Sequence, residues 1–258
     1  MILTDFDETL TSTFNPDEVE SIVEGMPKIA ITCFSYKLFD RLVEYFNGEE
    51  ISKLSNGNGK YPIYKIKYNN NEYALFMSVV GAAACTVQYE EAFAKGIETI
   101  ITFGTCGCLD AAIKDLAIII PSAAIRDEGT SYHYLKASDE VEVNKYYKEV
   151  FIDLLKEKEI SYIEGKAWTT DAPYRETRAK VAKRKEQGCV CVDMECSALG
   201  ALAQFRNKKI VQFFYAADNL DSTKWDKRSL GNSDLLSEKE KIGLIAVELA
   251  DRINKVSN

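Results

Sequence analysis

The residue types that could do chemistry in this chain are carboxylates set against apolar runs. Asp193 and Glu195 stand in Val190-Cys191-Val192-Asp193-Met194-Glu195-Cys196, and the residues that follow, to Phe205, carry no charge. A segment without a charged face reads as a helix, here over 193–206, that is buried all round. An unpartnered carboxylate is costly to bury, so two readings stay open for the pair. In the first turn of the helix they would meet free backbone N–H groups and the positive end of the dipole. Facing a pocket, they would accept hydrogen bonds from a ligand. Asp218 follows the apolar stretch 210–216, where an aspartate can cap a turn or act as an acid.

Apolar periodicity supplies the elements that must position these groups. Residues 28–34 and 99–103 read as buried strands, 36–46 and 83–95 as helices, and 61–68 with 72–80 as a hairpin turning at Asn69-Asn70-Asn71. Further strands are expected at 116–120, 161–169 and 210–216, and helices at 143–158, 174–187 and 238–255. The polar run 55–60 reads as a loop within the domain. This alternation predicts one α/β domain over 1–258, with a mixed, mostly parallel sheet covered by helices on both faces.

Composition narrows the function classes. A net charge of -8 argues against a nucleic-acid surface, which needs clustered Lys and Arg. No run reaches the roughly 18 apolar residues of a membrane span, and residues 1–10 carry acids where a signal peptide wants bases. A cytoplasmic protein with no membrane partner is expected. Five of the seven cysteines fall in two clusters, Cys106/Cys108 and Cys189/Cys191/Cys196, without the C-x2-C spacing of zinc sites, so buried thiols and no metal are expected. The single histidine, His133, excludes any mechanism that needs several and reads as a structural or pocket-wall residue.

In open α/β sheets ligands gather beyond the carboxyl ends of strands, and four such segments stand out. Val80-Gly81-Ala82-Ala83-Ala84 puts small residues where a strand meets a helix, as an anion site or as close packing would require. It does not fit G-x-G-x-x-G, so a dinucleotide fold is not supported. Phe103-Gly104-Thr105-Cys106-Gly107-Cys108 supplies glycines and a hydroxyl in the manner of a phosphate or sugar cradle. The third segment, 125–134, is dense in polar and aromatic groups, and the fourth is 216–222, which holds Asp218.

Taken in order, these segments resemble the nucleoside phosphorylase and nucleosidase superfamily. Phe103-Gly104-Thr105-Cys106-Gly107 is similar to its glycine loop, Val192-Asp193-Met194-Glu195 to its ribose-binding E-M-E element, and Ala217-Asp218 to the S-D pair of its purine-acting members. Trp168-Thr169-Thr170-Asp171-Ala172-Pro173-Tyr174 is similar to its base-pocket segment, and 126–134 to a segment of uridine phosphorylase. The resemblance implies a three-layer α/β/α fold around a mixed sheet, assembled as a homo-oligomer, a hexamer or dimers. It also implies cleavage of an N-glycosidic bond through an oxocarbenium-like sugar. Glu195 would then accept from the ribose hydroxyls with Met194 against the sugar and Asp193 beside them, and Asp218 would act as acid toward purine N7. Thr170, Tyr174 and Arg178 would line the base pocket, while Thr105, Gly104 and Gly81 would meet ribose or phosphate.

Two departures bear on the attacking group. Thr102 stands where the phosphorylases have arginine, and the family's G-D-P-x-R motif is replaced by Cys33-Phe34-Ser35-Tyr36-Lys37. Lys37, Lys60 and Arg126 are the substitute phosphate ligands this reading offers, Arg126 foremost, since a dianion calls for charge-assisted donors. Phosphorolysis, with inorganic phosphate as co-substrate and no cofactor, is the expected reaction. A nucleosidase using water and a non-catalytic nucleoside-binding protein are the alternatives.

Overall fold

A computed structural model describes residues 2–231 and 233–257. After a short helix α1 (Pro16–Val19), strand β1 (Ile29–Cys33), every residue of it buried, leads into α2 (Tyr36–Tyr45). An antiparallel meander follows, β2 (Glu49–Asn56), β3 (Gly59–Tyr68) and β4 (Asn71–Met77). Asn69 and Asn70 make the β3–β4 turn with φ of 50° and 63°, the left-handed pair a tight hairpin needs. Helix α3 (Ala82–Ala94) leads to β5 (Thr99–Cys108), then β6 (Ile118–Asp127), β7 (Glu140–Glu142) and α4 (Lys148–Glu157). The chain ends with β8 (Tyr162–Thr170), α5 (Arg178–Glu186), β9 (Cys189–Asp193), α6 (Cys196–Phe205), β10 (Lys209–Asn219) and α7 (Leu236–Ser257).

The strands run in the order β10-β6-β8-β9-β5-β1-β4-β3-β2, and β10 also pairs with β5. That extra pairing closes β5, β9, β8, β6 and β10 into a barrel, with β1, β4, β3 and β2 as a tail leaving from β5. The expected mixed sheet is found, but it closes on itself instead of lying between two helical layers, and it is not mostly parallel. Five of the ten strand pairings are antiparallel. Layering holds around β1, β3, β4, β5 and the start of β10, where one core joins the sheet to α2, α4 and α7 and another joins it to α3 and α6. Closure follows from strand length and irregularity: β5 and β10 stay paired from Lys209–Thr99 to Asn219–Cys108, and bulges in β6, β9 and β10 bend the wall.

Several boundaries also move. Residues 103–108 and 216–219 extend β5 and β10 rather than following them, and β6 runs on past Pro121 to Asp127. Asp193, expected to open the helix, is the last residue of β9, and α6 begins only at Cys196. The polar run 55–60 is the turn of the β2–β3 hairpin. All seven cysteines are buried free thiols. Among the described residues no helix is long and apolar enough to cross a membrane, and no group of three His, Cys, Asp or Glu side chains could hold a metal ion.

Candidate active site

The barrel has a seam. Along one edge β5 pairs with β1 only as far as Phe103 and with β9 only from Gly107 onward. Gly104, Thr105 and Cys106 therefore keep one edge free of a strand partner while β10 holds the other. A cavity of about 220 Å³ lies over this gap, lined by residues 104–107 together with Phe34 and Val80. Opposite stand Val192, Asp193, Met194 and Glu195, and the remaining wall includes Pro173, Glu176, Asp218, Leu220 and Leu230. Close approach explains the glycines. A Cβ on Gly104 would sit 2.7 Å from the Phe34 ring, and one on Gly107 would sit 2.5 Å from Leu220.

Glu195 is held at the head of α6 by a turn that Asp193 builds. Asp193 Oδ2 accepts from the backbone N–H of Glu195 at 2.8 Å and of Cys196 at 2.6 Å, while Oδ1 accepts from Thr169 Oγ1 at 2.8 Å. Asp193 thus serves the backbone ahead of the helix, the capping role in a different place from the expected first turn. Glu195 Oε1 accepts from the Gly81 N–H at 2.5 Å. Gly81 can present that N–H because its φ of 103° turns β4 into α3 in a conformation side chains disfavour. Burial pushes the Glu195 carboxyl up to about 8, with the neighbouring Asp193 charge as the second cause. Asp193 itself is pushed up to about 6 by burial, against the hydrogen bonds that favour its ionised form.

Asp218 reaches the cavity through a bulge. The β10–β5 register slips between Ala216 and Asp218, which sets Asp218 opposite Gly107. Its carboxyl is raised by burial. Glu176, which sequence reasoning missed, lies on the same wall. Burial first and the Asp218 charge second push Glu176 up to about 7. The signal for it was its place two residues beyond Tyr174, next to the base-pocket segment, and an acid there was not weighed.

Met194, Thr105 and Gly104 line the cavity with the carboxylates, and Gly81 touches it through Glu195. The other expected residues are elsewhere. Tyr174 is fully exposed beside Pro173, and Thr170 is buried with its hydroxyl on the Ala172 N–H. Arg178 grips the carbonyls of Leu220, Ser222 and Thr223 at 2.5–3.0 Å and so fixes the loop after β10. Arg126 is outside the lining, its guanidinium bound to Ser131, Ser138 and the carbonyls of Leu135 and Lys136 at 2.7–3.1 Å. From there Ser131, Glu128, Ser197 and Thr169 connect it by hydrogen bonds to Asp193, behind the cavity. Thr102 is buried within β5, and His133 is the exposed last residue of a short turn outside the cavity lining.

A family model described as the phosphorylase superfamily matches residues 28–250. The chain belongs to that superfamily. A guanosine phosphorylase of Halorubrum lacusprofundi is 22% identical over 190 residues, 74% of this chain and 78% of that one. An uncharacterized protein of Acanthamoeba polyphaga mimivirus is 29% identical over 156 residues, and the match spans only 60% of either chain. Two solved superfamily structures share the fold. The purine nucleoside phosphorylase of Toxoplasma gondii has a TM-score of 0.73 at 18% identity, covering 90% of this chain and 92% of that one. The 5'-methylthioadenosine/S-adenosyl homocysteine nucleosidase of Campylobacter jejuni has a TM-score of 0.70 at 17% identity, covering 88% and 100%.

Proposed function

We propose that this superfamily member breaks the N-glycosidic bond of a purine nucleoside. The observation that carries the reading is the meeting of Glu195, Met194 and Asp218 on one cavity beside the free edge of β5. Glu195 accepts from the ribose hydroxyls, with Met194 against the sugar. Asp218 gives a proton to the base as it departs, a service worth about 10²- to 10⁴-fold in rate. A carboxyl raised by burial is suited to carry that proton. Glu176, on the same wall, accepts from donor groups on the base.

Phosphate is the first reading for the acceptor, supported by relatives named as phosphorylases and by the edge at 104–106 with the Thr105 hydroxyl. The products are then free base and ribose 1-phosphate. Water is the second reading, and one observation favours it. Among the described residues the lining carries Glu176, Asp193, Glu195 and Asp218 but no Lys or Arg. A dianion placed among carboxylates needs a cation, and the homo-oligomer that the resemblance implies is where a cation from outside this lining would be found. A panel of inosine, guanosine, adenosine and uridine, assayed with and without phosphate, tests the whole reading. Purine nucleosides are expected to turn over, with ribose 1-phosphate formed only when phosphate is present. Equal rates in phosphate-free buffer assign water as the acceptor, and no cleavage of any nucleoside defeats the proposal.

A further inference from the structure

Asp218 has one oxygen engaged and one free. The indole Nε1–H of Trp225 donates to Asp218 Oδ2 at 2.8 Å. The other oxygen, Oδ1, lies 3.2 Å from where a Cβ on Gly107 would be, on the cavity wall. Trp225 is 58% exposed, yet the loop that carries it is fastened at both ends. Asn219 and Asp226 exchange backbone hydrogen bonds of 2.9 and 3.2 Å, and Arg178 holds the carbonyls before Trp225. Arg228 donates to the Ile113 carbonyl at 2.7 Å, and Lys239 to those of Ser229 and Gly231 at 2.6 and 2.8 Å. Such fastening fits a loop that must place one side chain.

We propose that Trp225 is a positioning residue that confines the transferable proton of Asp218 to Oδ1, the oxygen facing the base. The inference rests on the nucleoside reading of the cavity. Indole N–H is a donor only, so Oδ2 must remain an acceptor and the acid proton is left to Oδ1. As the C1′–N bond breaks, its electron pair leaves with the base, and the proton passes from Oδ1 to a base nitrogen. Asp218 is then a carboxylate, and the Trp225 N–H that it already accepts stabilises the new charge. The charged and titratable groups around Asp218 are Glu176 on the same cavity wall and Asp226 and Arg228 on the loop itself.

The test is Trp225→Phe in the full chain, which keeps a ring and removes the N–H. For a purine nucleoside kcat is expected to fall about tenfold with KM nearly unchanged, the loss of one hydrogen bond made to a charge developing in the transition state. The alkaline limb of the kcat–pH profile is expected to move to higher pH, because the lost donor had favoured the ionised carboxylate. A nitrophenyl riboside, whose leaving group departs without a proton, is expected to turn over at the parent rate, which also shows that the variant is folded. Equal losses on both substrates, or no loss on the nucleoside, would overturn the proposal while leaving the nucleoside reading in place. A parent enzyme that cleaves neither substrate takes both readings down together.

Discussion

At the scale of single residues the site is built on carboxyls that the fold holds uncomfortably. Glu195 carries the largest strain, raised to about 8 from the ordinary glutamate value of 4.5 by burial and by Asp193. With no ligand it holds a proton at neutral pH, whereas ribose hydroxyls donate best to the ionised form. Because kcat/KM reports ionisations of the free enzyme, the ionisation of Glu195 is expected to appear in its profile near pH 8, where it sets the limb against the loss of the Asp218 proton. Stability runs the other way. The folded state binds the extra proton between about 4.5 and 8, so stability falls as pH climbs through that window and stays reduced above it. Glu195→Gln keeps an acceptor for the Gly81 N–H and removes the charge. It is expected to lower turnover by roughly 10²-fold or more, to match the parent's thermal stability near pH 5, and to exceed it near pH 8.5. A glutamine variant that melts below its parent at the higher pH would assign Glu195 a structural role instead.

At the scale of elements, what positions the acids is strand geometry, and this is where sequence reading was least able to see. The hydrophobic runs gave away β1, β5, β8 and β10, as well as α2, α3 and α7, because each buries a continuous face. Glu195, Asp218 and the glycines were legible as residue types. The bulge that turns Asp218 inward and the gap in the β5 edge were not, since both depend on register between distant strands. For the same reason β9 went unread except for Asp193, taken as the start of the helix: five strand residues before an apolar helix carry no period of their own. Arg126 was misplaced because its partners, the carbonyls of Leu135 and Lys136, leave no mark in composition. Gly107 tests the strand-borne geometry directly. A Cβ there would meet Leu220 at 2.5 Å, Val192 at 3.0 Å and Asp218 Oδ1 at 3.2 Å. Gly107→Ala is expected to cost about 1–3 kcal/mol of stability, as overpacking does, and to reduce purine nucleoside turnover at least tenfold by shifting Asp218. Gly129→Ala, with nothing within 4 Å of its Cβ, is the neutral control. Parent-like kinetics in Gly107→Ala would separate Asp218 from the chemistry.

At the scale of the whole molecule, the cavity draws its walls from β1's end, the β4–α3 turn, β5, the segment before α5, β9 and β10, so a ligand that fits it bridges most of the barrel. Such a ligand stabilises the fold by mass action. A nucleoside at 100 times its Kd adds about 2.7 kcal/mol, which for a chain of this size raises Tm by roughly 5–10 °C. Inorganic phosphate provides a sharper contrast, because among the described residues the lining that would receive it holds four carboxyl groups and neither Lys nor Arg. Phosphate alone is therefore expected to leave Tm within about 1 °C of its value in a buffer of matched ionic strength, even if the protein is a phosphorylase whose cation arrives with substrate or from a second copy. Nucleoside alone is expected to produce the full shift. If the two together exceed the nucleoside shift, phosphate binds the nucleoside-loaded site and phosphorolysis stands. If phosphate by itself raises Tm by several degrees, a basic group must enter the cavity that this chain's own walls do not provide, and the placement of Arg126 and Thr102 away from the site would no longer describe the working enzyme. Thermal shifts with each ligand singly and together, at concentrations spanning its Kd, distinguish these outcomes without depending on catalysis.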